Sequence, residues 1–328
     1  MDEAPTAEIR NDRIRVKLYL PDAGRGYYRG TRFDWSGMIG SLEYAGHRYY
    51  GPWFDRIDPP VRDFIYAGPE IVVGRASGAT GPAEEFVTGD TALGFEEAAP
   101  GGTFVKIGVG VLRKPPDGKY DRFGTMDLVD PGKRQVKTSG SEVEFIHELS
   151  DPGAGYAYHY RKQIRLATGA ARLVMEHALK NTGRKPIRSE VYNHNFLVLD
   201  GLPPGPGLVI TLPFPVRADR PLAPELAEVR GNQLLYRKAL EGKDMVATDI
   251  GGFGDSAKEY DIRVEQAKAG AGYRVTGDRP LSRLGLWSIR NNVSVEPFIR
   301  MDIPPGGEFT WTYTYDYYTL PTPGGKAA

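Results

Sequence analysis

Apolar and polar side chains alternate along much of this chain with a period of two residues. Ile14, Val16, Leu18 and Leu20 are interleaved with Arg13, Arg15, Lys17 and Tyr19, which predicts a strand with one buried face. The pattern is clearest near the end, where Phe309, Trp311, Tyr313, Tyr315 and Tyr317 alternate with Glu308, Thr310, Thr312, Thr314 and Asp316. One face against a core and one in water marks an antiparallel sheet, because parallel strands are covered on both faces. Val143, Phe145, His147 and Leu149 share one face of a further strand, and Leu173, Met175, His177 and Leu179 share one face of another. Both histidines therefore read as hydrogen-bonded core residues. Residues 104–113 read as one buried strand, whose Gly108-x-Gly110 lacks the third glycine and the helix of a dinucleotide-binding turn. The loose helical spacing of Leu226, Val229, Leu234, Leu235 and Leu240 predicts one short helix within residues 224–242.

The breaks between these elements are as informative. The 41 glycines and 26 prolines are scattered among β-branched and aromatic residues, as many short strands joined by turns require. Gly51-Pro52 and Pro59-Pro60 mark loops over one end of a sheet. Residues 114–134 form a polar excursion containing Tyr120, long enough to be a functional loop or a lid. No linker and no repeat of fixed period divides the chain. The fold class is therefore all-β: one large antiparallel β-sandwich over residues 1–320, with long loops and at most one or two short helices. A disordered tail is expected at 321–328.

Composition narrows the partners. The 42 basic residues balance the 42 acidic ones, so no net field draws the protein to nucleic acid or to an anionic membrane. No apolar run approaches the roughly 20 residues of a membrane span. There are no cysteines, which excludes disulfides, zinc thiolate sites and thiol nucleophiles. Residues 1–7 lack the apolar core of a signal peptide, but removal of a leader would leave such a start, so cytoplasm and periplasm both stay open. A small-molecule partner is expected, with the protein a monomer or homodimer.

Candidate chemistry concentrates in two stretches. Residues 189–201 carry His194, Asn193, Asn195, Tyr192 and Phe196 in a segment that also reads as a strand, an unusual load of hydrogen-bonding capacity. His194 is the histidine whose neighbours can orient it; His159 reads as exposed and His47 as part of a turn. Residues 26–39 set Arg29, Arg32 and Asp34 among Tyr27, Tyr28, Phe33 and Trp35. That is either a strand with a solvated edge or a sugar platform, since pyranose rings stack on aromatics while Arg and Asp hydrogen-bond to hydroxyls. Glu84 and Glu85, after Gly81-Pro82, read as solvated loop carboxylates.

Residues 173–186, the following Tyr192-Asn193-His194-Asn195-Phe196, Val295-Glu296-Pro297, and Ile303-Pro-Pro-Gly306-Gly-Glu308 before the aromatic strand together resemble the aldose 1-epimerase (mutarotase) family and the wider galactose-mutarotase-like superfamily. Order and spacing agree over residues 8–320. The resemblance implies a β-sandwich that interconverts the anomers of free sugars with no cofactor and no metal. His194 would protonate the ring oxygen and Glu296 would take the anomeric hydroxyl proton. Ordinary pKa values supply an ionised glutamate and a partly protonated histidine at pH 7. The family's upstream His-Gly histidine has no counterpart, because Ala83-Glu84-Glu85-Phe86 stands in its place. Either the substrate differs, or Glu85 has another task, or catalysis is lost. Arg29, Arg32, Asp34, Glu85, Asn193, Asn195 and Tyr120 are the candidate substrate-binding residues. The arginines suit an anionic sugar, a uronate or a phosphorylated one. Two other functions stay open: a non-catalytic carbohydrate-binding protein on the same sandwich, and a sugar lyase or hydrolase using Tyr120, Glu84 and Glu85.

Overall fold

The computed structural model describes residues 4–321, so residues 322–328 of the expected tail lie outside it. Two large sheets face each other. In the ten-stranded sheet, Glu142–Asp151, Tyr156–Leu166, Arg172–Asn181, Glu308–Thr319 and Ala271–Gly277 are neighbours in that order. The six-stranded sheet runs Arg217–Ala218, Met245–Gly251, Arg283–Ile289, Asn292–Ile303, Ile187–His194, Ala83–Val87. The pairings that join these strands are antiparallel. A four-stranded sheet built from residues 6–50 and two three-stranded sheets complete the molecule.

Period-two patterning places the core between the large sheets. Trp311, Tyr313, Tyr315 and Tyr317 are buried there, while the intervening threonines stay on the outer face of the same strand. Phe86 of the six-stranded sheet meets Trp311 and Tyr160 of the opposite sheet edge to face. Both core histidines are satisfied: His147 contacts the Pro131 carbonyl at 2.9 Å, and His177 contacts Glu84 at 3.0 Å and the Trp311 carbonyl at 3.2 Å. His159 is half-buried, and His47 opens the strand His47–Tyr50 with Nδ1 at 2.8 Å from Asp200.

Four local expectations need correction. The segment read as helical is the hairpin Ala227–Arg230 and Gln233–Tyr236, with Val229 opposite Leu234. Gly231, at φ 62°, makes the turn, and this turn chemistry prevails over a loose helical spacing. Among the described residues the helical elements are the 3-10 turns Leu199–Gly201 and Ala257–Glu259. Residues 104–113 are likewise a hairpin, Thr103–Lys106 with Gly110–Arg113. At its turn Gly108 has φ 79°, and a Cβ there would fall 2.7 Å from the Asp34 side chain, so glycine is required. Residues 26–37 form a buried loop rather than a strand, with Phe33 and Trp35 inside it.

The fourth correction concerns Glu84 and Glu85, which are fully buried in the strand Ala83–Val87. Successive strand side chains point to opposite faces. Glu84 therefore enters the sandwich, where it meets His177 and the Lys162 ammonium at 2.5 Å. Glu85 goes to the outer face and a different set of cations.

Candidate functional site

The outer face of the six-stranded sheet is the floor of a pocket of about 230 Å³. In the strand Ile187–His194, parity separates the side chains. Tyr192, His194 and the following Phe196 face the pocket, whereas Val191, Asn193 and Asn195 point into the sandwich. The neighbouring strand Asn292–Ile303 contributes Glu296 and Phe298 by the same rule. Tyr192 pairs with Phe298, and this register carried two residues further sets His194 opposite Glu296. Gly285 stands across from Glu296 on the next strand, and Trp287 and Arg283 flank it toward the pocket. The walls come from loops: Trp53, Asp63 and Phe64 from one side, Arg122 and Phe123 from the long polar excursion, and Arg32 from the buried 26–37 loop.

His194 Nε2 lies 3.1 Å from Glu296 Oε1. The imidazole stacks on Phe196 with centroids 3.7 Å apart and receives the edges of Trp287 and Phe33. Its Nδ1 is buried with no hydrogen-bond partner. An imidazolium there would lose its hydration with little to replace it. Burial therefore pushes the His194 pKa well down, and the Arg32 and Arg122 guanidinium groups push it further. Burial pushes Glu296 up to about 7 against the opposing pull of Arg32 and Arg122. This reverses the expectation of an ionised glutamate beside a protonated histidine. Both shifts arise because burial among aromatic side chains disfavours charge on either partner. Near neutral pH the uncharged pair, a carboxylic acid beside a neutral imidazole, is the form that burial favours.

The shift at Glu296 carries a stability consequence. Its folded pKa lies above the unfolded value of 4.5, so the folded state keeps a proton that the unfolded chain releases between about pH 4.5 and 7. Stability therefore falls across that window as pH rises. Thermal melts should show Glu296→Gln gaining on wild type between pH 4.5 and 8, with little difference at pH 4. A constant offset at all pH values would contradict this.

The expected binding residues are dispersed. Arg32 lines the pocket. Glu85 stands directly behind it, bonded to Arg32 Nε at 2.9 Å, Lys106 Nζ at 3.1 Å, Arg122 Nη2 at 2.5 Å and the Tyr192 hydroxyl at 2.6 Å. Arg29 is exposed and donates to the Gly24 carbonyl, away from the pocket. Asp34 is buried beside Lys162, Tyr160 and the Ser36 amide, and does not line the pocket. Asn195 donates to the Val295 carbonyl and accepts from the Tyr315 hydroxyl inside the sandwich, and Asn193 is buried on that same side. Tyr120 packs on Phe95 and receives a hydrogen bond from Lys106. Tyr192, Arg122, Trp287, Arg283 and Asp249 line the pocket without having been singled out. Tyr192 was legible from its parity with His194; the others come from segments with no motif. Among the described residues no group of three His, Asp or Glu side chains is arranged to hold a metal.

The fold is galactose-mutarotase-like. Solved structures agree over nearly the whole chain. The GalM/aldose epimerase homologue from C. elegans has a TM-score of 0.55 at 12% identity, covering 97% of this chain and 100% of its own. The galactose mutarotase related enzyme from Lactobacillus acidophilus gives 0.53 at 13% identity, covering 96% and 98%. A protein from Synechocystis sp. PCC 6803 gives 0.56 at 12% identity, covering 97% of each chain. These likenesses establish the fold. No protein-family model and no curated protein matches the sequence.

Proposed function

We propose that this protein is an aldose 1-epimerase-like enzyme, which interconverts sugar anomers with His194 and Glu296 as its acid–base pair. The observation that carries the reading is the 3.1 Å contact between these side chains on the floor of an aromatic-walled pocket. Mutarotation needs one proton delivered to the ring oxygen and one removed from the anomeric hydroxyl. A pair that shares a single proton can do both in one pass. The uncharged ground state puts the acid proton on Glu296 and leaves His194 as the acceptor, opposite to the roles the family resemblance implies. Transfer of that proton between Glu296 and His194, 3.1 Å apart, interconverts the two assignments, so the pair and its one proton form the catalytic unit. Trp287 and Phe298 offer apolar surface to a sugar ring, and Asp63 and Asp249 offer acceptors to its hydroxyls.

The test is anomer exchange followed by NMR on a panel of neutral, uronic and phosphorylated sugars. Acceleration by wild type that His194→Ala and Glu296→Gln both abolish supports the reading. Sugar binding without acceleration, unaffected by Glu296→Gln, would replace it with a non-catalytic binding protein. That second reading has one observation in its favour: His194 Nε2 and Glu296 Oε1 lie 3.1 Å apart and face each other.

A further inference from the structure

One carboxylate, Glu85, serves three buried or half-buried cations, Arg32, Lys106 and Arg122. The Tyr192 hydroxyl donates to Glu85 and accepts from Arg32 Nη2 at 3.1 Å and Arg122 Nη2 at 3.0 Å. The two guanidinium groups thus converge on one point of the pocket wall. Glu85 brings one negative charge to these three cations, which leaves an excess of positive charge at the pocket wall. The other acids that line the pocket have partners of their own. Asp249 is paired with Arg283 at 2.9 Å, Asp63 accepts from Ser77, and Arg220 lines the pocket with no ion pair among the described residues. Four arginines face the cavity against Asp63, Asp249 and Glu296, and burial favours the uncharged form of the last.

We infer that the pocket takes a sugar bearing one anionic group, a carboxylate or a phosphate, which pairs with Arg32 and Arg122. This deepens the proposed function by naming its substrate class. Guanidinium groups suit either anion through two parallel hydrogen bonds. Tyr192 and His194 are two residues apart on one strand, a rise of about 7 Å. That spacing leaves room for an anomeric centre over His194 with an anionic substituent of the same sugar reaching the two guanidinium groups beside Tyr192. Glu85 acts as a positioning residue, because it holds both arginines while remaining out of the cavity.

The experiment is calorimetric titration of wild type and Arg122→Gln with glucose, glucuronate and glucose 6-phosphate at constant ionic strength. Arg122 is partly exposed, so its variant keeps the buried Arg32–Glu85–Lys106 core. At least one acid should bind about tenfold or more tighter than glucose, an advantage of about 1.4 kcal/mol. Arg122→Gln should remove most of that advantage. Which acid binds decides between carboxylate and phosphate. Glucose binding as tightly as both acids, neither acid binding, or an advantage that survives in Arg122→Gln overturns the inference. Anomer exchange on glucose with no preference for the acids would leave the epimerase reading standing alone. Tight acid binding without exchange would do the reverse.

Discussion

Anomer exchange should fall by a factor on the order of 10²–10⁴ in His194→Ala and again in Glu296→Gln, with the double variant little worse than either single one. The non-additivity follows from the shared proton: removing either partner destroys the unit, as residues acting together do in other enzymes. The same argument fixes the pH profile. Burial and the two arginines keep the second proton off His194 until well below its ordinary range, while Glu296 loses its proton at about 7. The active, singly protonated pair is therefore present at and below neutrality and is lost above it. The kcat/KM for anomer exchange should be level on the acid side of neutrality and fall as pH rises through about 7. A rate that climbs through pH 7 would mean that a free carboxylate alone is the base, and the shared-proton mechanism would be wrong.

Glu85→Gln should destabilise the fold by about 3–5 kcal/mol, read as a lowered urea midpoint. Burial pushes the Glu85 carboxyl up, but Lys106, Arg122 and Arg32 outweigh it and hold the group well below the usual carboxylate range. Replacing it with a neutral amide of the same shape leaves three cations with no anion. The exposed pair Arg188–Asp302 is the internal control, with side chains 72% and 63% exposed. Asp302→Asn there should change stability by less than about 1 kcal/mol, because water screens the charges. Equal effects at the two sites would show that the Glu85 cluster is as well solvated as the surface.

Much of the sandwich was legible because its strands are locally encoded. The aromatic and threonine alternation of residues 308–319 and the apolar parity of 143–149 and 173–179 each need only a period of two to be read. Where the signal was a turn, reading by spacing failed. Gly231 and Gly108 each fold a segment back on itself, and a pattern of leucines or valines carries no trace of that reversal. In the strand Ile187–His194 the composition was informative and the direction was not. Asn193 and Asn195 carry as much hydrogen-bonding capacity as His194, but alternation turns them into the sandwich, where Asn195 meets Tyr315.

The sequence by itself determined the all-β class, the strands of the core and, through motif order, the singling out of His194 and Glu296. Only the tertiary structure decided that these two meet, because their strands must be neighbours in a sheet with Tyr192 opposite Phe298. It also decided what the charges do. Glu84 and Glu85 look like any solvated acidic pair until Lys162 and His177 close on one and Arg32, Lys106 and Arg122 on the other. A charge can be buried only where distant segments bring its partners, and the protonation of His194 and Glu296 follows from that enclosure rather than from their own chemistry.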